Sequence, residues 1–306
     1  MSLYVIFNPT AARGVAGRRL HRVQRLLGGH AEFRSTEGRG HAEQLAFAAA
    51  RAGHATVVAA GGDGTVHEVA NGVLHAGQPN VAFGVIPLGS GNDYASALGV
   101  GNDIRSLCVG LLAQTTRSVD VGQVQDENGR QRFFVNTLGM GLSGAVSWES
   151  VGIKRLRGLA LYSVAVLRAI WKHFRAVDAI LDIDDQRQEW PILYMALALG
   201  QREGGGFVIA PHAKLDDGLF DFLHAGRVSR LQALRYLPQL LRGNVSPDDP
   251  FVRTGQCRRL IVQAKAPLLA HLDGEMFARP GDAVHRLDVQ LLPRRLHVRN
   301  PSANPL

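Results

Sequence analysis

The chain has 306 residues, of which 46% are hydrophobic and 20% charged; this suits two domains with buried cores and excludes a largely disordered polymer. A formal net charge of +8 points to polyanionic partners, namely phosphorylated ligands, anionic lipid surfaces or nucleic acid. Lysine occurs only at 154, 172, 214 and 265, so the first half has no P-loop lysine and no kinase strand lysine, and backbone, hydroxyls and arginine must bind any phosphate there.

Leu3–Phe7 predicts a strand and not a secretory leader. A helix follows over 18–27, with Leu20, Val23, Leu26 and Leu27 on one face. A strand at 32–35, a helix at His41–Arg51, a strand at 56–60, a helix at 66–75 and a strand at 81–86 continue the alternation, which argues for a parallel sheet wrapped by helices. Beyond Asp120 the pattern changes to short strands at 133–138, 178–183, 192–199, 219–223, 259–262, 268–272 and 284–291, interrupted by helices near 156–174 and 231–241. That is the pattern of a β-rich, sandwich-like domain. Cys108 and Cys257 have neither disulfide-framework nor metal-ligand spacing, which fits a reducing cytoplasm, and no uncharged apolar stretch reaches the roughly 18 residues of a membrane span.

The sharpest local feature is Gly61-Gly62-Asp63-Gly64-Thr65, between the strand at 56–60 and the following helix. A strand running through a glycine turn into a helix aims the free N–H groups and positive dipole end of that helix at a phosphate. Asp63 cannot bind an anion directly, so a divalent cation, most simply Mg²⁺, must stand between them. A second loop, Pro87-Leu88-Gly89-Ser90-Gly91-Asn92-Asp93, follows the next strand and offers the Ser90 hydroxyl and the Asp93 carboxylate. The first strand ends at Asn8, with Thr10 and Arg13 beside it, so three loops fall at the carboxyl ends of parallel strands, where ligands of such sheets bind. Neither glycine loop completes Gly-x-Gly-x-x-Gly, which counts against a dehydrogenase.

Two further turns are acidic. Asp273-Gly274-Glu275 reads alone as a type I′ hairpin turn; facing a nucleotide, it would bring a carboxylate able to take the proton of an attacking hydroxyl. Asp216-Asp217-Gly218 is either a surface hairpin or a cation site. The helices near 156–174 and 231–241 have basic ends and apolar middles; each is either a core helix with solvated charges or an element lying against anionic lipid.

These signals in this order resemble the diacylglycerol kinase catalytic family, within it the bacterial soluble lipid kinases, over essentially the whole chain. The resemblance implies an α/β nucleotide-binding domain with a parallel sheet over 1–118, of the phosphofructokinase and NAD-kinase kind. A β-rich sandwich domain for the acceptor lipid would span 119–306, its last strand returning to the first domain. Carried residue by residue, the resemblance implies that Asn8, Thr10, Thr36, Gly62, Asp63, Gly64, Thr65, His67 and Ser90 bind ATP, with Gly61, Gly89 and Asn92 completing the two loops. Asp63, Asp93 and Asp120 would form the acidic network around a catalytic Mg²⁺, and Glu275 would be the general base with Asp273 beside it. Asp217 with the carbonyls of Lys214 and Leu219 would hold a structural Mg²⁺ or Ca²⁺. One departure stands in the first loop, where Ala11-Ala12-Arg13-Gly14 replaces the family's serine-glycine pair.

The expectation is an ATP- and Mg²⁺-dependent kinase acting on a hydroxyl of a lipid such as diacylglycerol, phosphatidylglycerol or a sphingoid base. It would be cytoplasmic, touching an anionic membrane peripherally, a candidate homodimer and no binder of nucleic acid. The alternatives are a kinase of NAD or another small polyol, and a nucleotide-responsive membrane-binding protein without turnover.

Overall fold

The computed structural model describes residues 3–11, 15–101, 103–113, 115–153, 155–246 and 249–299. Within it the chain forms two compact units: one runs to Asp120 and resumes at Pro293, the other is Val121–Leu292.

The first unit contains β1 (Leu3–Phe7), α1 (Val15–Leu27), β2 (Ala31–Ser35), α2 (His41–Arg51), β3 (Thr56–Gly61), α3 (Asp63–Ala76), β4 (Ala82–Pro87), α4 (Asp93–Ala97), α5 (Ile104–Leu112) and the start of β5 (Thr116–Asp126). Its strands are parallel in the order β2-β1-β3-β4, and the end of the last strand, His297 and Val298, adds in parallel to β4. Every residue of β3 is buried, which is why this strand reads as an unbroken apolar run and not as an alternation. Leu20, Val23 and Leu27 pack on Leu3, Val5, Val58 and Ile86. Leu26, expected on the same face, is 38% exposed and lies outside that stripe. α2 and α3 touch closely because Gly72 carries no Cβ; one there would overlap the Glu43 carbonyl. The helix expected from 66 begins at Asp63, so the glycine turn supplies its first residues.

The second unit continues β5 and adds β6 (Gln131–Phe134), β7 (Thr137–Gly141), α6 (Leu142–Val151), α7 (Gly158–Lys172), β8 (Ala179–Ile183), β9 (Gln186–Glu189), β10 (Tyr194–Ala198), β11 (Arg202–Glu203) and β12 (Phe207–Val208). β13 (Phe220–Ala225), α8 (Arg230–Arg242), β14 (Val252–Cys257), β15 (Arg259–Ala264), β16 (Ala270–Leu272), β17 (Glu275–Ala278) and β18 (Arg286–Arg299) follow. One antiparallel sheet has the order β14-β13-β10-β7-β16-β17. In the other layer β15 pairs with β8 and with the first part of β18, while β5 pairs with β6. Phe134 of one layer stacks on Phe220 of the other at 5.5 Å, in the core of a sandwich.

The expected strand 133–138 is in fact two strands, β6 and β7. The N–H groups of Val135, Asn136 and Thr137 all donate to the Asp273 carboxylate, at 2.8–3.1 Å, and so leave the ladder. α6 gave no amphipathic signal because Leu142, Ser143, Gly144, Ala145 and Ser147 are all buried, which leaves no stripe to read. α8 is closed by a Ser229/Gln232 capping box and a left-handed Gly243. α7 buries Ala165, Val166, Ala169 and Ile170, while Leu167 and Trp171 of the same helix are 53% and 80% exposed. One face of this helix is therefore buried and the other presents apolar side chains at the surface. Among the described residues, no helix is long and apolar enough to cross a membrane.

Candidate active site

In the first unit the two glycine loops are built against each other. Gly61 O accepts from the N–H groups of Leu88 (2.9 Å) and Gly89 (3.2 Å), and the Asp63 Oδ2 accepts from Asn92 N–H at 2.8 Å. Gly62 and Gly89 meet backbone to backbone: a Cβ on Gly62 would lie 3.2 Å from Gly89 Cα, and one on Gly89 would overlap Gly62 Cα. Two motifs whose facing glycines, Gly62 and Gly89, stand 27 positions apart in sequence thus form one surface of main chain. Gly62 stands at the N-cap of α3 without a capping side chain, so the helix presents its N-terminal end at that surface.

Asn92 holds the second loop in shape. Its φ is 59°, a left-handed conformation asparagine tolerates, and its side chain spans Gly89 by accepting from Gly89 N–H (3.0 Å) and donating to Gly89 O (2.9 Å). The Asn92 side chain thus braces the loop whose place in the nucleotide site the sequence predicts. Gly89 N–H is likewise shared between Gly61 O and Asn92 Oδ1. Ser90 is exposed at the tip of this loop.

The remaining residues of the expected nucleotide site are divided. Asn8 Oδ1 accepts from Thr10 N–H (2.9 Å) and the Thr10 hydroxyl (2.7 Å), closing the turn after β1. Thr36, 9% exposed, is tied by its N–H to Phe7 O at 2.9 Å, and so ends β2 level with Asn8 at the end of β1. Thr65 is 7% exposed in the first turn of α3, and Gly64 precedes it there. His67 is 3% exposed and its Nε2 lies 3.4 Å from Asn71 Nδ2. Arg13 lies outside the described residues.

The three residues of the expected acidic network lie on α3, α4 and β5. Asp93 opens α4 and is 9% exposed. Asp120 is fully buried and its Oδ1 accepts from Arg294 N–H at 2.7 Å. Among the described residues no group of three or more His, Cys, Asp or Glu side chains could hold a metal ion, so Asp63, Asp93 and Asp120 do not close into an all-protein cage. The site still fits Mg²⁺, which is usually bound by one or two carboxylates together with water and substrate phosphates. Asp63, at the start of an uncapped helix beside two glycine loops, is such a carboxylate.

In the second unit, Leu272 pairs with Glu275 across a two-residue loop, and Asp273 (φ 51°) and Gly274 (φ 86°) both have positive φ: a type I′ turn. Asp273 is 8% exposed, accepts from three backbone N–H groups and donates its own N–H to Thr137 O at 2.8 Å. Its carboxylate braces the strand break, and Glu275 follows it, partly exposed at the start of β17. At the other acidic turn Asp217 Oδ1 accepts from Leu219 N–H at 3.2 Å, and both Asp217 and Lys214 are exposed. Asp221, not singled out from sequence, belongs to this group: burial and the charge of Asp217 push its carboxyl above the ordinary range, against a hydrogen bond from Gln256.

A further cluster had no sequence signal at all. Glu203 Oε1 accepts from the Ser143 hydroxyl (2.6 Å) and lies 3.0 Å from His271 Nε2. Gly274 N–H donates to His271 Nδ1 at 3.1 Å, which leaves the ring proton on Nε2 to serve Glu203. Burial pushes the Glu203 carboxyl up, but the His271 and Ser143 donors outweigh it and hold it below the ordinary range. Burial and the neighbouring Glu203 push the Tyr194 hydroxyl well above its usual value. These groups come from α6, β10, β11 and β16, so no local spacing could have revealed them. Ser143, Tyr194 and Glu203 line a cavity of about 100 Å³ that is partly open to solvent. Its other walls are apolar, among them Leu142, Val166, Ile170, Phe207, Leu237 and Leu240.

Comparison with known proteins gives concordant results. Residues 2–124 match the family described as the diacylglycerol kinase catalytic domain, and 136–300 match the YegS C-terminal NAD kinase beta sandwich-like domain. A protein of Pseudomonas aeruginosa named "Probable lipid kinase YegS-like" is 32% identical over 288 residues, covering 93% of this chain and 89% of that protein. The protein named diacylglycerol kinase of Bacillus subtilis is 28% identical over 303 residues, covering 97% and 95%. The crystal structure of a diacylglycerol kinase from Bacillus anthracis shares the fold with a TM-score of 0.73, at 18% identity over 99% of this chain and 97% of that one.

Proposed function

From the premise that this chain belongs to the diacylglycerol kinase catalytic family, we propose that it transfers the γ-phosphoryl group of Mg-ATP to a hydroxyl of a lipid. The observation that carries the reading is the Gly62–Gly89 contact, which makes one main-chain cradle of two loops and sets Asp63 at its edge beside the uncapped end of α3. Such a cradle suits phosphate oxygens, because backbone N–H groups and a helix terminus supply positive potential with no side chain in the way. Asn8, Thr10 and Thr36, at the ends of β1 and β2, are proposed to hold the rest of the nucleotide, and Ser90 to donate to a phosphate oxygen. The divalent ion would neutralise charge on the transferring phosphoryl, held by Asp63 with Asp93 in support.

In the reaction the lipid oxygen bonds to the γ-phosphorus as the bond from phosphorus to the bridging oxygen of ADP breaks. The hydroxyl proton passes to Glu275, and ADP leaves with the bond's electron pair. The chain's own contribution is positioning and the acceptance of that proton. The nucleotide domain is proposed as the first unit and the acceptor domain as the second. Leu167, Trp171 and Leu231, exposed on α7 and α8 among Arg168, Lys172 and Arg235, are proposed to rest on an anionic membrane surface. Asp217 with the Lys214 and Leu219 carbonyls remains the candidate seat of a structural divalent cation.

The test is to incubate the protein with γ-labelled ATP, Mg²⁺ and micelles of diacylglycerol, phosphatidylglycerol, ceramide or sphingosine, with NAD⁺ as a parallel acceptor. A labelled lipid, absent with Asp63→Asn, is the expected result. Label in NADP⁺ alone would replace the lipid with a soluble acceptor, and ATP binding without any labelled product would overturn the kinase reading.

A further inference from the structure

We infer that the cavity of the second unit holds the chain of the acceptor lipid and that Glu203 accepts a hydrogen bond from a second hydroxyl of its head, one that is not phosphorylated. This rests on the lipid-kinase reading and deepens it by naming a substrate class: a lipid whose head carries at least two hydroxyls.

The argument starts from an unsatisfied atom. Glu203 Oε1 is taken by Ser143 and His271, whereas Oε2 is buried and has no hydrogen-bond partner in the structure. A buried carboxylate oxygen without a donor is costly, and such atoms are rare enough in folded proteins to need a cause. Here the residue lines an otherwise apolar, partly open cavity. An apolar chain with a hydroxyl at its head matches both features: the chain removes apolar wall from water, and the O–H donates to Oε2.

The cluster is built for this place. A Cβ on Gly139 would overlap both Ser143 Oγ and His271 Nε2, so only glycine lets the three side chains meet. His271 is fully buried and is bonded through Nδ1 to Gly274, the residue between Asp273 and Glu275. Tyr162, which also lines the cavity, has its hydroxyl 3.6 Å from where a Gly274 Cβ would stand. The polar end of the cavity is therefore tied to the hairpin that carries Glu275. A hydroxyl has one proton to give. If the acceptor hydroxyl gives its proton to Glu275, the donor to Glu203 must be another group, and an acceptor with a single hydroxyl leaves Oε2 bare.

Calorimetric titration without nucleotide tests this, using 1-decanoylglycerol and its 2-O-methyl ether, which keeps the primary hydroxyl and loses the second. Wild type should bind the diol about tenfold tighter or more, and Glu203→Gln should bind the two within about twofold of each other. Glu203→Asp, which keeps the charge and shortens the reach, should also lose most of the preference and serves if Glu203→Gln melts early. Ala233→Trp, which fills the cavity from α8, should lose both ligands. Equal binding of the two lipids by wild type, a preference that survives in Glu203→Gln, or normal binding by Ala233→Trp would each overturn the inference. Tighter binding of the corresponding 2-amino lipid than of the diol would overturn the choice of a hydroxyl. The kinase reading fails separately. Asp63→Asn should keep the tenfold preference while losing turnover. A wild type that shows the Glu203-dependent preference yet labels no lipid would sink the kinase and leave the cavity assignment standing.

Discussion

The two ligand-binding regions proposed for this chain are made of different materials. In the first unit the surface is main chain: Gly61, Gly62 and Gly89, the start of α3, and an asparagine turned back on its own loop. In the second it is side chain: Ser143, Tyr194 and Glu203 line an apolar cavity and His271 stands behind Glu203, the four coming from separate elements. A main-chain surface needs particular residues in a row, because a tight turn tolerates few substitutes, and so it leaves a contiguous signature. A side-chain surface needs only that distant positions converge, and it leaves none.

The largest effects should come from the groups assigned to chemistry. Asp63→Asn should abolish measurable lipid phosphorylation while the variant still folds, since the amide keeps one oxygen to accept from Asn92 N–H. Near-normal kcat would remove Asp63 from the site. Glu275→Gln should lower kcat by roughly 10²–10⁴ with little change in ATP affinity, the range typical of a lost general base. A variant that merely fails to bind ATP would move Glu275 out of that role.

Next comes the main-chain cradle. Gly89→Ala places a methyl group on the Gly62 backbone, where no side chain can swing aside, so the loops must part. The expected cost is about 1–3 kcal/mol of stability, as for other overpacked contacts, with a larger proportional loss of ATP affinity. Gly281→Ala, at φ 96° and with open space around its Cβ position, carries backbone strain without a clash and is the matched control. If both variants lose ATP affinity alike, the contact between loops is not what matters.

The same contrast explains what was legible. The βα alternation, the two loops and the type I′ turn are local, and each could be placed from sequence. The split of 133–138 was not, because its cause, the Asp273 carboxylate, lies more than 130 residues away. Asp273 was expected beside the catalytic base from the family resemblance, and the three N–H donors add that it holds backbone together. Leu26 was expected in the core from helical spacing, yet the buried stripe of α1 is narrower than its apolar stripe. Asp273→Ala should orphan those donors at about 1–3 kcal/mol each and lower Tm by many degrees, a loss of fold and not of proton transfer. A variant that melts normally but turns over slowly would restore Asp273 to the chemistry.

The smallest effect sharpens the comparison where side chains meet without a cavity. The Asp221 carboxyl is raised by burial and by Asp217, so in the folded chain it holds its proton to higher pH than the ordinary value of 3.8. As pH rises from 3.8 the unfolded chain releases this proton first, and stability is lost from there up through the raised folded value. Above that range the buried Asp221 carboxylate is a net cost to the fold. In EDTA, Asp221→Asn should therefore melt about 1–3 °C above wild type at pH 7, with the gap closing toward acid. A divalent cation at Asp217 would reverse the sign, because two repelling carboxylates are a liability alone and an asset around a cation. Ca²⁺ or Mg²⁺ should then raise the Tm of wild type, and should raise that of Asp217→Asn or Asp221→Asn less. If the metal lifts all three equally, the acidic turn is a surface hairpin and the pair is only a small electrostatic burden on the fold.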